Sequence, residues 1–140
     1  MDKSEALAQA SFDGNLDVVA SLLRMGADIN APGPGRDWTP LHAAIENMQT
    51  EVVQYLLGAG ADPEFACCGM RALHHAIDIE ADSAAQANDP WPPEPVLTRM
   101  LLEAGADING AAGDGETPLQ WARSHGHVKA AQLLEARGAA

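Results

Sequence analysis

Histidine and cysteine are the side chains of this chain best suited to binding a metal or taking part in catalysis. Cys67-Cys68 is followed closely by His74-His75, and thiolate and imidazole are the usual ligands of zinc. The adjacent cysteines lack the Cys-x-x-Cys spacing of a zinc site, and neighbouring cysteines cannot easily form an unstrained disulfide. We therefore expect no bound metal, and the cysteine content favours a reducing compartment.

Patterns that accompany catalysis are missing from the sequence. There is no nucleophile elbow and no Ser/His/Asp set with a supporting context. Gly33-Pro34-Gly35 is not a phosphate loop, because no Lys-Ser/Thr follows it and the proline removes a backbone donor. Acidic pairs such as Asp78 and Glu80 are more simply explained as solvated surface. We expect no catalytic residues, no cofactor and no enzymatic activity.

The chain has 140 residues, of which 46% are hydrophobic and 4% aromatic. This length suits one domain with an aliphatic core, and the abundance of Ala and Leu favours helices. Eight basic against 20 acidic residues give a net charge of −12. That balance argues against nucleic acid and anionic membranes as partners and permits a basic protein. Solubility alone is the other explanation of the acidity.

Apolar runs are short throughout the sequence. None approaches the ~18 residues that a membrane span needs, and no apolar run follows the N-terminus as it would in a signal peptide. We therefore expect a cytoplasmic protein.

A three-part pattern recurs along the chain, made of a Thr-Pro-Leu start, a pair of leucines and a Gly-Ala step. The steps are Gly26-Ala27, Gly60-Ala61, Gly105-Ala106 and Gly138-Ala139, separated by 34, 45 and 33 residues. The starts are Thr39-Pro40-Leu41-His42 and Thr117-Pro118-Leu119-Gln120, with a degenerate copy at Arg71-Ala72-Leu73-His74. A fixed period of this length is typical of repeat proteins.

Each part of the pattern has a mechanical role. Thr followed by Pro predicts an N-cap and the first residue of a helix. The apolar spacing in 50–57 predicts a second helix, which Gly58 and Gly60 end because glycine adopts a left-handed cap easily. The unit is therefore a helix–turn–helix with a hairpin-like loop, and it buries its apolar side only by stacking on neighbours.

The Thr-Pro-Leu-His starts and the Gly-Ala-Asp steps resemble those of ankyrin-repeat proteins. The resemblance implies an all-α solenoid and covers the chain as a single domain, 1–140. Its four repeats span approximately 4–31, 32–64, 65–110 and 111–140. The first unit lacks the Thr-Pro-Leu-His start, and Glu135 replaces a leucine in the last unit. We expect both to be end caps of a complete small protein that is monomeric when unbound.

The third unit carries about 13 extra residues near 80–93. The alanine-rich start of this insertion can extend the first helix, whereas the consecutive prolines at its end must leave the helix. Two interpretations stay open. The insertion is a partner-binding loop with Trp91 as an aromatic anchor, or it is neutral variation of a tolerant loop.

The resemblance also implies roles for single residues. His42 and His74 stand where the family's imidazole ties neighbouring loops together, and His127 in the Gly-His turn is assigned the same structural role. Partners are implied to bind at hairpin tips and on the exposed, concave side of the first helices. These positions are Phe12, Asp13, Trp38, Glu46, Asn47, Met70, Asp78, Ile79, Asp114, Glu116, Ser124 and His125, with Arg36, Cys67 and Cys68 as further variable tip residues.

An apolar centre of Phe12, Trp38, Met70 and Ile79 with an acidic rim is typical of a binding site for a basic protein. The first hypothesis is a non-enzymatic module that sequesters or inhibits such a partner. An immunity- or antitoxin-like protein that masks a toxin is a more specific form of it. The alternatives are a scaffold with several weak partners and, for Trp38, simple packing on the adjacent hairpin.

Overall fold

The computed structural model of the protein describes residues 2–33, 38–67, 69–87 and 94–139, and for residues 84–87 the backbone only. Within these residues the chain forms eight α-helices in four consecutive pairs, with no strand beyond one isolated bridge between Cys67 and Met70. The predicted all-α architecture is confirmed. The helices are α1 (Lys3–Asp13), α2 (Leu16–Arg24), α3 (Pro40–Glu46), α4 (Thr50–Gly58), α5 (Ala72–Ala87), α6 (Val96–Glu103), α7 (Pro118–Ser124) and α8 (Val128–Ala136).

The Thr-Pro starts begin helices as predicted. Thr39 caps α3 by accepting a hydrogen bond from the backbone N–H of His42, with Pro40 as the first helical residue. Thr117 caps α7 in the same way, and the side chain of Gln120 accepts the N–H of Thr117 in return, which completes a capping box. A proline at this position loses nothing, because the first N–H groups of a helix have no partner inside it.

The turns between paired helices require a left-handed residue. Gly14 and Gly126 supply it with φ of 78° and 69°, whereas the second unit places Met48 there with φ of 53°. Left-handed backbone brings the Cβ of an ordinary residue too close to the following carbonyl oxygen. Met48 therefore holds a strained conformation that glycine adopts at no steric cost.

The helices pack in two rows that share one aliphatic core. In the first row α1, α3, α5 and α7 pack successively, and in the second α2, α4 and α6 do so. The fully buried side chains between them are mostly leucine, isoleucine and valine, including Leu41, Ile45, Leu73, Ile77 and Leu101. This stacking gives each unit the cover that it lacks alone.

The insertion lengthens the first helix of the third unit. Helix α5 has 16 residues against 7 in α3, so the alanine-rich start extends the helix as predicted. Glu80 lies on this extension and is only 2% exposed, so the interpretation of Glu80 as solvated surface is wrong. Its carboxylate instead accepts hydrogen bonds from the N–H groups of Leu97 and Thr98 and from the hydroxyl of Thr98, at 3.1, 3.1 and 2.6 Å.

Glu80 thereby caps a helix 17 residues away in sequence. Pro95 precedes α6 and offers no side-chain cap, so the orphan N–H groups of this helix start depend on another element. Burial raises the pKa of Glu80, while hydrogen bonds from the Thr98 hydroxyl and from backbone N–H groups at the start of α6 oppose that rise. The inserted segment thus begins with the residue that anchors the helix after it.

The two ends of the stack differ in polarity. In the last unit, Arg123 and Glu135 occupy the positions of buried Ile77 and half-buried Leu102, and they pair with each other at 2.7 Å. In the first unit, Val18 on α2 and Met25 directly after this helix are 40% and 60% exposed. The polar replacement expected at Glu135 is therefore present, whereas the first unit keeps an apolar outer face.

Candidate functional site

The first-helix row and the hairpin tips bring most of the predicted binding residues onto one surface. Because α1, α3, α5 and α7 pack side by side, residues at equivalent places near their ends form two parallel rows. We call these residues and their tip neighbours the recognition surface. It comprises Phe12, Asp13, Glu46, Asn47, Asp78, Ile79, Ser124 and His125 on the helices, with Trp38, Met70, Asp114 and Glu116 at the tips.

The apolar members of this surface are less exposed than the sequence suggested. Phe12, Trp38, Met70 and Ile79 are all half-buried, and Ile79 packs against the core. The exposed members are polar, namely Asp13, Asn47, Asp114, Ser124 and His125. The expected apolar centre is thus partly covered by its own repeats. Trp91, Arg36 and Cys68 lie outside the described residues.

Two carboxylates of the surface bind histidines of the following unit. Glu46 Oε2 lies 2.7 Å from Nε2 of His75, and Asp78 Oδ1 lies 3.0 Å from Nε2 of His125. The two acids occupy the same place in successive units. His75, a position without an assigned role in the sequence, is 2% exposed, so the buried imidazole fixes the Glu46 side chain at the junction of units two and three.

The junction of the first two units uses an amide instead. Asn47 Nδ2 donates to the carbonyl oxygen of Phe12 at 2.9 Å, and Gln49 Nε2 donates to the same oxygen at 3.2 Å. Asp13 accepts a hydrogen bond from Gln9 within α1. Each junction between neighbouring units therefore carries a polar contact on the recognition surface.

A tryptophan flanks each histidine–carboxylate pair. The ring of Trp38 meets the ring of His75 edge to face, with centroids 5.4 Å apart. Trp121 stacks on His125 with centroids 4.9 Å apart and planes inclined by 22°. Aromatic pairs at these separations add to the energy of simple burial.

Trp121 is half-buried against the core and contacts His125 of the recognition surface, a place that the sequence did not predict for it. It occupies the place of Ala43 and His75 in the preceding first helices. The prediction considered only the two positions next to the inter-helix turn, which lie one turn further along the helix. The signal was present as a large aromatic residue at a position where the second unit has alanine.

The hairpin tips are held by the histidines of the Thr-Pro-Leu-His position, as predicted. Nε2 of His42 donates to the carbonyl oxygen of Met70 at 3.2 Å, and Nε2 of His74 donates to that of Glu116 at 2.9 Å. Burial, together with the charge of neighbouring His75, lowers the pKa of His42 to about 4. Both imidazoles are therefore neutral donors that tie each tip to the unit before it.

The degenerate start of the third unit deprives His74 of a hydrogen bond that His42 makes. In the second unit, Nδ1 of His42 accepts the hydroxyl of Thr39 at 2.8 Å. Arg71 stands where Thr39 stands, and Nδ1 of His74 is buried with no partner among the described residues. Burial again lowers the pKa of His74. Arg71 instead donates to the carbonyl oxygen of Ala111 at 3.0 Å and so links the third unit to the last loop.

His127 has a different structural role from the one predicted. It is buried, and its Nδ1 accepts the N–H of Ala130 at 3.3 Å. It therefore caps α8 rather than tying neighbouring loops together. The accepting Nδ1 leaves the proton on Nε2, and burial lowers the pKa of this histidine.

Metal ligands are not assembled in the part of the chain that the structure describes. No group of three His, Cys, Asp or Glu residues there has the geometry to hold an ion. Cys67 is buried at the base of a tip, where its backbone exchanges two hydrogen bonds with that of Met70. Among the same residues, no helix combines the length and apolar character needed to cross a membrane.

A row of stacked helix–turn–helix units with histidine-clamped tips defines a solenoid repeat protein. A family profile described as "Ankyrin repeats (3 copies)" matches residues 7–87, and another described as "Ankyrin repeats (many copies)" matches residues 81–135. The chain belongs to the ankyrin-repeat family. Ankyrin repeats are protein–protein interaction modules, and the fold in general carries no catalytic activity of its own.

Several curated proteins are similar to this chain. The human ankyrin repeat and SOCS box protein 3 is 31% identical over 130 residues, which cover 85% of this chain and 22% of that protein. The human ankyrin repeat and SOCS box protein 16 is 35% identical over 131 residues, with coverage of 92% and 24%. The mouse protein phosphatase 1 regulatory subunit 27 is 41% identical over 64 residues, with coverage of 44% and 39%. The chain thus spans about a quarter of the length of the first two.

Proposed function

We propose that this ankyrin-repeat protein binds a basic protein through the recognition surface and thereby sequesters or inhibits it. The observation that carries the proposal is the recurrence of a histidine that contacts both a carboxylate and a tryptophan. His75 does so with Glu46 and Trp38, and His125 does so with Asp78 and Trp121. Aromatic side chains concentrate binding energy, and acidic neighbours attract a cationic partner.

The charge of the whole chain supports a basic partner. A net charge of −12 accelerates encounter with a positively charged protein and repels acidic ones. One similar protein is named as a regulatory subunit of protein phosphatase 1, in keeping with control of another protein by binding. A toxin with a cationic site, masked by an immunity-like protein, is the most specific form of this proposal.

The contribution of Trp38 is tested by its replacement with alanine. A partner is first captured from source lysate at low salt, and its affinity is then measured by calorimetry for Trp38→Ala, Trp91→Ala and the unchanged protein. We expect Trp38→Ala to weaken binding by about 2 kcal/mol, the cost typical of an aromatic anchor. Tyr55→Ala is the matched control, because Tyr55 is 38% exposed on a second helix, away from the surface.

Two results would redirect or overturn the proposal. If Trp91→Ala alone weakens binding, the inserted segment is the recognition element and the recognition surface is not. If neither variant matters and affinity is insensitive to salt, the protein is a scaffold with several weak partners rather than an inhibitor of one basic protein. Glu116→Lys and Glu51→Lys on α4 change the net charge of the chain by the same amount. A larger loss of partner affinity with Glu116→Lys would show that the charge near the tip matters more than the net charge.

A further inference from the structure

In each histidine–carboxylate pair, Nε2 of a histidine lies within hydrogen-bond distance of an acid, and the same imidazole ring contacts a tryptophan. His125 shows this most clearly. Its Nδ1 lies 2.9 Å from the carbonyl oxygen of Trp121, and its Nε2 lies 3.0 Å from the carboxylate of Asp78. Both neighbours only accept hydrogen bonds, so both bonds form together only when the ring carries two protons and a positive charge.

The carboxylates have capacity beyond these histidines. Glu46 and Asp78 are each about one third exposed. Each commits one oxygen to a histidine, and the other oxygen has no hydrogen-bond partner among the described residues. A carboxylate with an open oxygen can take a second donor, and a guanidinium offers several in a planar fork.

We infer that Glu46 and Asp78 are two subsites, one repeat apart, for two arginine side chains of an extended segment of the partner. His75 and His125 keep one oxygen of each acid, and the arginine takes the other. The inference rests on the proposed function and adds the chemistry and the spacing of what is bound.

The spacing follows from the stack. Equivalent positions on neighbouring helices lie about 8–10 Å apart, the usual distance between packed helices. A polyproline II segment advances about 3.1 Å per residue with three residues per turn, so positions i and i+3 face the same way about 9 Å apart. In a β-strand, positions i and i+2 share a face but span only about 7 Å. An Arg-x-x-Arg segment in the polyproline II conformation therefore matches the two subsites.

The experiment uses synthetic peptides with the full chain. Three peptides of one composition carry two arginines in a proline-rich background, at i and i+2, i and i+3, or i and i+4. Binding is followed by calorimetry and by the NMR signals of the His75 and His125 rings, which change surroundings when an arginine shares their carboxylate.

We expect the i and i+3 peptide to bind best, and Glu46→Gln or Asp78→Asn each to weaken it about 5-fold, the equivalent of about 1 kcal/mol for a half-exposed ion pair. Glu51→Gln, at an exposed acid of α4, should leave its affinity unchanged.

Three results would overturn the two-subsite inference. They are equal affinity for all spacings, an equal loss with Glu51→Gln, and no binding of any peptide at millimolar concentration. The proposed function fails separately, if the affinity of the captured partner changes neither with salt concentration nor with Trp38→Ala. If that partner depends on Trp38 but not on Glu46 or Asp78, only the two-subsite inference is wrong.

Discussion

Replacing Glu80 with alanine tests whether the lengthened helix α5 anchors the helix that follows the insertion. The change removes the acceptor for two backbone N–H groups and one hydroxyl at the start of α6. Pro95 provides no alternative cap, and Leu97 and Thr98 are fully buried. Water therefore cannot easily replace the lost acceptor, and the donors stay unpaired.

The magnitude comes from those three bonds. Bonds to a charged acceptor contribute about 1.5–3 kcal/mol each, but burial of the carboxylate, which raises the pKa of Glu80, offsets much of the sum. Loss of an ordinary N-cap alone costs about 1 kcal/mol. We expect Glu80→Ala to lower the free energy of unfolding by about 2–4 kcal/mol, the range for breaking a buried network.

Glu80→Gln should lower the free energy of unfolding less than Glu80→Ala does. Its amide oxygen can keep both bonds from Thr98, but its NH₂ group then faces the N–H of Leu97, donor against donor. We expect a loss of about 1–2 kcal/mol, the cost of one unsatisfied buried group.

Urea denaturation followed by circular dichroism measures these losses, and hydrogen exchange at the amides of Leu97 and Thr98 locates them. Asp82→Ala is the matched control, because Asp82 is an exposed carboxylate on the same helix, and it should change stability by less than about 0.5 kcal/mol. If Glu80→Ala behaves like Asp82→Ala and exchange at α6 stays slow, the reasoning about this long-range cap is refuted.

Three further changes test the fold. Met48→Gly should raise the free energy of unfolding by up to about 1 kcal/mol in urea titrations, because it relieves a left-handed residue; a loss would show that the side chain matters more than the strain. Glu135→Leu should alter stability by less than about 1 kcal/mol, since the pair with Arg123 is exposed, yet increase self-association in sedimentation experiments; a loss of several kcal/mol would mean that the repeat register is wrong. The ring of His42 should titrate by NMR near its folded pKa of about 4 rather than 6.5. The unfolded chain binds this proton more readily between those values, so the stabilisation is complete above about pH 6.5 and is lost as the pH falls towards 4, by at most about 3 kcal/mol. Comparison with His42→Gln isolates this slope from Glu80, whose raised pKa acts in the opposite direction, and a midpoint near 6.5 would contradict the assignment.

The sequence predicted the features that depend on neighbours in the chain. The caps at Thr39 and Thr117 follow from a short motif whose partner lies three residues further on. The tip bonds of His42 and His74 reach 28 and 42 residues along the chain, and they were predicted from the resemblance to ankyrin repeats. The buried role of Glu80 could not be predicted in this way, because it depends on how far α5 continues into the insertion and on where α6 then lies.

The burial of His75 and the strain at Met48 were also not predicted from the sequence, for different reasons. The burial of His75 depends on Trp38 and Glu46 of the preceding unit, and no local pattern records such a contact across units. The strain at Met48, by contrast, was readable, since the residue stands where Gly14 and Gly126 stand.

The histidine bonds that hold the hairpin tips do not depend on which side chains the tip residues carry. His42 and His74 bond to the carbonyl oxygens of Met70 and Glu116, and every amino acid carries that oxygen. The tip side chains can therefore be exchanged, in evolution or in the laboratory, while the bond that joins the units is kept. A library that varies positions 70 and 116 should consist mostly of folded members that differ in what they bind.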